Sequence, residues 1–425
     1  MSRIQAVRGM NDILPSQTLV WEQVIFALSK CLKQYAFGEV KLPLIESTAL
    51  FKRTIGEVTD IVEKEMYTFT DLNGESISLR PEGTAGCVRA AIEHGVLRQI
   101  QKWWYLGPMF RHEKPQKGRY RQFYQLGAEV FGVADPASDL ELLMMTAQMW
   151  KALNIDTKVS LEINCLGTQE DRNHYKESLV AFFQSHASQL TPDELQRMQR
   201  SPLRLLDSKS PIIQELIVNA PRLIDFVNSE SRRNFDMVCQ GLSAAGIAYK
   251  LNPFLVRGLD YYHHLVFEWV TTELGSQATV CAGGRYDTLV EQLGGPATPA
   301  IGFAMGIERI ILLLPEQEEL PFTDIYVLTQ ESQPLIQTQL LAEKIRQHSG
   351  FNVQIHLSSA SMKSQFKKAD KSGARYALIL GPDELQNDQV SVKLLRGELG
   401  DDKQLTLKRT DVLSWLREQH GEYVC

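Results

Sequence analysis

The chain lacks the segments that take a protein into or across a membrane. None of its apolar runs approaches the roughly 18 residues that a membrane-spanning helix needs. Its first residues, MSRIQAVRGMNDILP, have neither the apolar stretch nor the small-residue cleavage site of a secretory signal. We therefore expect no membrane partner and a cytoplasmic location.

Paired cysteines and metal-binding histidine patterns are also missing. The six cysteines are scattered and form no C-x-x-C pair, which argues against zinc ribbons and disulfide frameworks and fits a reducing compartment. The nine histidines show no H-E-x-x-H spacing. We expect no metal ion that is held by protein ligands. Internal repeats and low-complexity tracts are absent as well.

Size and composition describe an ordinary soluble protein. A length of 425 residues predicts two or three domains. The contents of 44% hydrophobic and 23% charged residues are typical of globular chains. A net charge of −6 does not suit a protein that coats nucleic acid non-specifically. It still allows a nucleic-acid partner that is held by local basic patches.

One such patch lies in residues 105–130, YLGPMFRHEKPQKGRYRQFYQLGAEV. Two segments rich in aromatic and β-favouring residues flank a loop with Pro115 and Gly118, which predicts a hairpin. Five Lys/Arg residues and one Glu lie between Arg111 and Arg121. The arginine guanidinium group is planar and carries several N–H donors that can bind phosphate oxygens. The loop thus favours a polyphosphate or nucleic-acid ligand, with a solvated surface turn as the alternative.

Polar residues on the returning strand strengthen the first interpretation. Every second residue of the predicted strand, at positions 123, 125, 127 and 129, lies on the same face. That face therefore carries Gln125 and Glu129 together with Phe123 and Gly127. Polar groups on the face that also carries the basic loop predict the floor of a pocket.

The rest of the first 315 residues mixes helices and strands. The pattern predicts a helix from Ser16 to Gly38, a strand EVKLPLIE interrupted by Pro43, and a hairpin that turns at Asn73-Gly74. Further elements are listed in order: helices over 84–95 and 138–152, a strand KVSLEIN, a helical insertion over about 168–245, strands at 253–257 and 265–271, and a strand followed by a helix in IGFAMGIERIILLLP.

The last 100 or so residues read as a separate domain. The acidic stretch EQEELPF at 316–322 has no hydrophobic period and is interpreted as a linker. Strands and helices alternate after it, which predicts a small α/β domain.

Seven motifs in register carry a family resemblance. They are RGMNDILP (8–15), the motif 1 proline Pro43, LRPEGT (79–84), FRHEKPQKGRYRQFYQ (110–125), LVRGLDYY (255–262), GGRYD (283–287) and GFAMGIER (302–309). With them the chain resembles bacterial histidyl-tRNA synthetases, which are class II aminoacyl-tRNA synthetases of subclass IIa, essentially from end to end. The chain differs from the family motifs at three places: Lys114, Tyr124 and the run His263-His264-Leu265. These residues lie near those to which the family assigns the reaction, and not among them.

The resemblance implies an α+β fold. Residues 1–320 would form the class II catalytic core, an antiparallel sheet with helices and the helical insertion. Residues 321–425 would form an α/β anticodon-binding domain. The implied activity is the ATP-dependent attachment of L-histidine to tRNA(His) through a histidyl-adenylate, with release of AMP and diphosphate.

The resemblance also implies which residues handle ATP and its accompanying Mg²⁺. Negative charge builds on phosphorus during adenylation, so fixed cations aimed there lower the barrier. The catalytic set would be Arg111, Arg257 and Arg309, with Arg111 and Arg257 at the α-phosphate and Arg309 towards the γ-phosphate. ATP would also contact Glu113, Arg119 and Phe123. For Arg257 a structural buried ion pair, and for Arg309 a helix cap or surface ion pair, are the alternatives.

Histidine recognition is implied for a second set. It comprises Glu82, Gly83, Thr84, Arg111, Gln125, Glu129, Arg257, Tyr261, Tyr262 and Tyr286. Glu82, Thr84 and Gln125 match the contacts of the ammonium and carboxylate, and Glu129 and Tyr262 match those of the imidazole. Buried polar groups that only imidazole satisfies reject isosteres by roughly 10⁴-fold. Core aromatic packing is the alternative for each tyrosine.

Contacts with tRNA and with a second subunit complete the implied picture. Residues 361–377 hold five Lys/Arg and one Asp, and the resemblance assigns Lys363, Lys367 and Lys368 to tRNA phosphates rather than to a solvated helix face. Gln116 would also contact tRNA, and the insertion would clamp its acceptor stem. Motif 1 implies a C₂ homodimer with Pro43 near the axis.

Three other functions compete with this one. The first is the histidine-sensing paralogue that regulates ATP phosphoribosyltransferase, which has no ligase activity and typically lacks the last domain and an intact RGLDYY. The second is a threonyl, prolyl or glycyl synthetase, and these lack LVRGLDYY. The third is a tRNA-binding module, which would not need Arg111, Arg257 and Arg309 together.

Overall fold

The structure is a computed structural model and describes residues 3–56, 59, 61–206, 208, 210–257, 259, 261–275, 278–315, 323–329, 335–357, 360–396 and 404–419. The chain divides into two units, Met1–Pro315 and Glu316–Cys425. The linker expected at 316–322 lies outside the described residues. None of the described helices is long and apolar enough to cross a membrane.

An eight-stranded sheet forms the centre of the first unit. The strands of this unit are β1 Gly38–Glu39, β2 Ile45–Ser47, β3 Thr68–Thr70, β4 Ser76–Leu79, β5 Gln101–Phe110, β6 Gln122–Phe131, β7 Ser160–Cys165, β8 Tyr249–Leu251, β9 His263–Val270, β10 Thr279–Arg285 and β11 Ala300–Gly306. The large sheet has the order β1-β5-β6-β11-β10-β9-β7-β8. Its six central strands are antiparallel, and β1 and β8 pair in parallel at the edges.

Helices cover this sheet and build the insertion. They are α1 Pro15–Gln34, α2 Thr48–Ile55, α3 Thr84–Glu93, α4 Ala137–Ala152, α5 Gln169–Ser185, α6 Pro192–Arg200, α7 Pro211–Ile217, α8 Ser229–Ala244, α9 Leu289–Gln292 and α10 Ile307–Leu313. One face of α1 is buried against α4 through Val24, Leu28 and Leu32. The predicted helical insertion is confirmed as α5 to α8, and the helix expected from Ser16 ends earlier than predicted, at Gln34.

The predicted hairpins are confirmed, and one predicted strand is wrong. β5 pairs with β6 from Gln101↔Phe131 to Phe110↔Gln122, and β3 pairs with β4 around Asn73-Gly74. Residues 253–257 form no strand. The reason is a contact with a distant residue: Asn164 Nδ2 donates to the carbonyls of Pro253 (3.3 Å) and Leu255 (3.0 Å), so a side chain satisfies backbone groups that a strand partner would otherwise bind.

A second, smaller sheet lies beside the motif 1 region. Strands β2, β4 and β3 form it in that order and are antiparallel. Pro43 lies between β1 and β2, so the strand expected over EVKLPLIE is split where proline removes a hydrogen-bond donor. Arg80 follows β4 and donates to the carbonyls of Leu42, Pro43 and Pro108, which ties this region to β5.

The second unit is a mixed α/β domain. It contains β12 Ile325–Thr329, α11 Leu335–Ser349, β13 Val353–Ile355, α12 Met362–Lys371, β14 Tyr376–Leu380, α13 Pro382–Gln386, β15 Gln389–Leu394, β16 Gln404–Lys408 and α14 Val412–Gln419. The sheet order is β13-β12-β14-β15-β16, parallel over its first three strands and antiparallel over the rest. The predicted alternation of strands and helices is confirmed, and the α+β fold class with it.

Candidate active site

The floor of a polar cleft is formed by the β5–β6 hairpin. Phe123 and Gln125 project into the cleft from β6, and Arg111 follows the last residue of β5. The Arg111 Nε atom donates to the carbonyl of Pro81 at 2.9 Å, and its guanidinium carbon is 5.4 Å from the centre of the Phe123 ring. Burial lowers the pKa of Arg111. A buried guanidinium in a cleft favours an anionic ligand, because an anion would offset its lost hydration.

The hairpin loop brings a second arginine and a carboxylate to the cleft. Arg119 forms an ion pair with Glu113, and both residues line the cavity. A wider contact of 4.0 Å joins Arg119 to Glu65. Gln116, in contrast, is an exposed residue at the tip of the loop, where it pairs with Arg119 through two backbone hydrogen bonds.

Arg309 projects into the same cleft from the first turns of α10. Its Nε donates to the carbonyl of Gly118 at 2.9 Å, and its Nη1 donates to the carbonyl of Thr279 at 2.6 Å. Burial, together with the positive charges of Arg111 and Arg119, lowers the pKa of Arg309 to about 10. The group therefore stays charged near pH 7, in a place where an anion would stabilise three cations at once.

Arg257 approaches from the irregular segment before β9. Its guanidinium pairs with Glu268 of β9 and lies 6.0 Å from the Tyr262 ring. The Nε atom is buried and has no hydrogen-bond partner. A buried donor without a partner is costly, so this atom is a candidate contact for a bound anion.

The residues at and just before the start of α3 supply a carboxylate to the same cleft. Glu82 accepts hydrogen bonds from the backbone N–H groups of Thr84 (2.6 Å) and Ala85 (2.9 Å), and burial raises its pKa. The side-chain oxygen of Gln125 is buried and has no partner. A carboxylate beside an unsatisfied amide oxygen suits an ammonium group, which carries several donors and a positive charge.

Glu129 lies directly behind this wall. It is fully buried and accepts hydrogen bonds from the hydroxyls of Thr84 (2.7 Å), Tyr105 (3.3 Å) and Tyr286. Burial raises its pKa to about 8, although the three hydroxyls act in the opposite direction. A Cβ atom at Gly302 on the next strand would lie 1.6 Å from a Glu129 oxygen, so the carboxylate fits only because Gly302 has no side chain.

Three tyrosines pack around this carboxylate. The ring centres of Tyr261 and Tyr262 are 4.6 Å apart, and that of Tyr261 is 5.6 Å from Tyr286. Tyr261 and Tyr262 line the cleft, whereas Tyr286 lies behind it with Glu129. Aromatic walls with hydroxyls at their tips suit a flat, polar ring such as imidazole.

The cleft therefore unites most residues that the sequence singled out. Its lining includes Glu82, Thr84, Arg111, Glu113, Arg119, Phe123, Gln125, Arg257, Tyr261, Tyr262 and Arg309. Gly83 lies beside the cleft, where a Cβ would meet the Tyr105 ring at 2.2 Å. Lys363, Lys367 and Lys368 belong to the second unit and are exposed on α12. No group of three or more His, Cys, Asp or Glu able to hold a metal ion occurs in the part of the chain that the structure describes.

Sequence reasoning missed several polar residues in and around this site. Glu268 pairs with Arg257, Tyr105 donates to Glu129, and Glu308 lines the cleft and accepts the backbone N–H of Tyr124 with both oxygens, at 2.9 and 3.1 Å. Burial raises the pKa of Glu308 to about 7. The one available signal was Glu268, a charged residue within the apolar run of β9.

The unusual residues near the motifs point away from the cleft or are held by other elements. The Tyr124 ring packs edge-on against Trp21 at 5.1 Å, because β6 turns alternate side chains to opposite faces. His264 Nδ1 lies 3.0 Å from Ser231 Oγ of α8, which connects the start of β9 to the insertion.

Comparison with known families matches both units of the chain. Residues 9–310 match a model described as histidyl-tRNA synthetase, and residues 325–419 match a model described as anticodon binding domain.

Individual proteins that resemble this chain align with nearly its whole length. A protein of Legionella pneumophila strain Lens named histidine--tRNA ligase is 51% identical over 424 residues, which are 98% of this chain and 99% of the relative. The crystal structure of apo S. aureus histidyl-tRNA synthetase covers 98% of this chain and 100% of its own at 33% identity, with a TM-score of 0.80. An ATP phosphoribosyltransferase regulatory subunit/histidyl-tRNA synthetase from Bacillus halodurans, 19% identical, shares the fold with a TM-score of 0.64 over 90% of this chain and 98% of its own.

Proposed function

Since this chain belongs to the histidyl-tRNA synthetase family, we propose that the polar cleft is the adenylation site of a histidine–tRNA ligase. The protein attaches L-histidine to tRNA(His) in an ATP-dependent reaction, and the intermediate is histidyl-adenylate. One observation carries the assignment to this cleft: four part-buried arginines converge on a space that also contains Glu82 and the unsatisfied oxygen of Gln125. A polyphosphate and an amino acid fit those two groups of residues side by side.

The arginines supply the electrostatic part of the reaction. The histidine carboxylate attacks the α-phosphorus of ATP, and diphosphate leaves with its negative charge. Arg111 and Arg257 would stabilise the charge that develops on the α-phosphate, and Arg119 and Arg309 would hold the leaving phosphates. Phe123 would stack on adenine, with Glu113 beside the nucleotide. Mg²⁺ enters with ATP as part of the substrate.

The opposite end of the cleft would select histidine. Glu82 and Gln125 would hold the ammonium group, and Tyr262 and Glu129 would bind the imidazole nitrogens. Thr84, the first residue of α3, would link the two groups, because its backbone N–H donates to Glu82 and its hydroxyl donates to Glu129. Selection then rests on buried polar groups that a non-polar isostere would leave unpaired.

Histidine-dependent ATP–pyrophosphate exchange tests this function directly. The purified full-length protein should exchange labelled pyrophosphate into ATP with histidine, and not with threonine, proline or glycine. It should then charge tRNA(His). Exchange with one of the other amino acids would move the chain to another class II specificity. Absence of exchange with every amino acid would leave only a sensing or binding role.

The histidine-sensing regulator is less well supported than the ligase. Its typical form lacks the last domain, whereas residues 325–419 of this chain match an anticodon-binding family. A tRNA-binding module is disfavoured for a separate reason: it would not need Arg111, Arg257 and Arg309 together in one cleft beside Glu82 and Gln125.

Exposed lysines on α12 lead to a prediction about tRNA. Lys367→Ala with Lys368→Ala should weaken charging of tRNA(His) about tenfold and make its salt dependence shallower, because two phosphate contacts are lost. Pyrophosphate exchange should not change. The measurement is KM for tRNA at several salt concentrations, with Lys344 of α11, changed to alanine, as a control outside the basic helix. Equal losses in both assays would show that α12 is needed for the fold.

An exposed apolar surface beside motif 1 leads to a prediction about assembly. Leu44, Ile45, Phe69 and Leu72 are at least 43% exposed on and around the β2-β4-β3 sheet. Apolar clusters of this kind are typical of subunit interfaces. We propose a C₂ homodimer with Pro43 near its axis, active in the cytoplasm. Light scattering at micromolar concentration should give the mass of two chains, and Phe69→Glu with Leu72→Glu should shift it towards one. A single-chain mass for the unmodified protein would contradict the proposal.

A further inference from the structure

Glu268 is the carboxylate that faces Arg257 across the cleft wall. It lies in the middle of β9, and one of its oxygens binds the Arg257 Nη1 atom. Both side chains are largely buried, with 20% of Arg257 and 14% of Glu268 exposed. Burial alone would lower the pKa of Arg257, but the nearby Glu268 carboxylate raises it. The pair therefore keeps a cation in a place where desolvation would otherwise disfavour it.

The pairing leaves the other edge of the guanidinium for a ligand. Nη1 is bound to Glu268, whereas Nε is buried and has no partner. A guanidinium is planar, so fixing one edge fixes the direction of the remaining donors. The Tyr262 ring lies 6.0 Å from the guanidinium carbon and limits its movement on another side.

The second oxygen of Glu268 extends this arrangement to Arg309. Thr279 Oγ1 donates to Glu268 at 2.7 Å, and the carbonyl of the same Thr279 accepts from Arg309 Nη1 at 2.6 Å. Arg257 and Arg309 thus contact one another indirectly through two residues on neighbouring strands, β9 and β10. These are the two arginines assigned to opposite ends of the triphosphate.

We propose that Glu268 is a positioning residue for adenylation: it holds one edge of Arg257 so that the other edge faces the reacting carboxylate and α-phosphate, and through Thr279 it keeps Arg257 in register with Arg309. This inference rests on the proposed adenylation function. It predicts that Glu268 acts on the rate of the chemical step, because a misdirected cation loses most where charge develops.

Glu162 provides a matched control. It lies directly opposite Glu268 on β7, so the two carboxylates are cross-strand neighbours of the same type. Glu162 binds Lys250 at 3.4 Å and Asn252 at 2.6 Å, and it does not line the cleft. A general effect of removing a carboxylate from this face of the sheet would appear equally at both positions.

The first experiment compares Glu268→Gln with Glu162→Gln in pyrophosphate exchange. Glutamine keeps the shape and still accepts from Thr279, but it removes the charge that holds Arg257. We expect kcat to fall about 100-fold for Glu268→Gln, with both KM values changed less than about threefold. Glu162→Gln should stay within about twofold. Equal effects of the two variants, or a Glu268→Gln effect confined to KM, would overturn the inference.

A double-mutant cycle separates positioning from a structural role. In an Arg257→His background, Glu268→Gln should lower kcat by less than about threefold more, because its target is already gone. If Glu268 had only a structural role, Glu268→Gln would lower kcat about 100-fold in the Arg257→His background as well, and that result would overturn the inference.

Thr279→Val provides a route that does not depend on the folding of Glu268→Gln. Loss of the Thr279 hydroxyl leaves one Glu268 oxygen without its donor, and we expect kcat to fall about tenfold. In the Arg257→His background, Thr279→Val should have no further effect on kcat. A loss that persists in that background would contradict the network. Absence of exchange in the wild-type protein would instead overturn the proposed function, so the two failures are distinguishable.

Discussion

Replacing Arg257 with histidine should lower kcat for histidine activation by about 10²- to 10³-fold while KM for ATP changes less than about threefold. The buried guanidinium lies in the cleft with one edge bound to Glu268 and its Nε atom unpaired. The proposed contact with the α-phosphate would strengthen as charge develops on phosphorus, so its loss should affect the transition state more than the bound ATP. Steady-state pyrophosphate exchange, with both substrates varied, measures the two effects separately.

The pH dependence of this variant gives a second readout. Histidine has a reference pKa of about 6.5, so the introduced imidazole carries more positive charge at pH 6 than at pH 8. Part of the lost kcat should therefore return as pH falls, relative to wild type, because the arginine stays charged over this range. A variant whose only defect is a higher KM, with kcat retained, would show that Arg257 merely positions substrate.

Local patterns in the sequence were enough to predict the elements that carry most of the site. The β5–β6 hairpin followed from alternating aromatic residues around a Pro/Gly loop, and the strand–helix junction that bears Arg309 followed from GFAMGIER. In both cases the signal and the structure lie within about 25 residues of one another. Most of the side chains that the family motifs singled out consequently line the cleft, whereas Glu129 and Tyr286 lie behind its wall.

Patterns within one segment of the sequence did not predict the contacts between distant segments. Residues 253–257 have the composition of a strand, but Asn164, about 90 positions away, binds their carbonyls instead. Glu308 reaches the backbone of Tyr124 over 184 positions. The role of Glu268 depends on the β9–β10 register, which brings Thr279 beside it. The periodicity of one segment does not encode its partner on another, so the contacts of these residues could be identified only from the folded chain.

Glu129→Gln is expected to be the sharpest test of substrate identity. Glutamine keeps the shape of glutamate, but it loses the charge and can present an N–H where the imidazole N–H needs an acceptor. The change should cost about 2–4 kcal/mol in kcat/KM for histidine, as for a buried charged hydrogen bond, and should hardly affect KM for ATP. The measurement is pyrophosphate exchange with histidine varied at saturating ATP.

Because Glu129 lies behind the residues that line the cleft, its substitution is compared with a second variant, at Thr84. Thr84 lines the cleft and donates to the carboxylate, so a loss in Glu129→Gln could arise through Thr84 rather than through direct contact with the ring. Thr84→Val removes that hydroxyl and keeps the volume. If Glu129 binds the ring, Thr84→Val should cost less than Glu129→Gln, and the double variant should cost more than Thr84→Val alone.

Stability serves as the control for folding. The pKa of Glu129 is about 8 in the folded chain, above its ordinary value of 4.5, because the site is buried. A carboxyl that binds its proton more tightly in the folded state makes folding less favourable as pH rises from about 4.5 to about 8. Glu129→Gln removes this penalty, so its Tm at pH 8 should equal or exceed that of wild type.

The pH profile then decides whether the ionised carboxylate is the form that selects histidine. The substrate enters mostly as neutral imidazole above its reference pKa of about 6.5 and offers one ring N–H. If that N–H needs a carboxylate, kcat/KM for histidine should rise as pH passes through about 8, where free Glu129 ionises, and the rise should be absent in Glu129→Gln. Ionisation of the substrate itself affects both proteins equally and cancels in their ratio. Undiminished histidine activation in Glu129→Gln, with the same pH profile as wild type, would place the imidazole site elsewhere in the cleft.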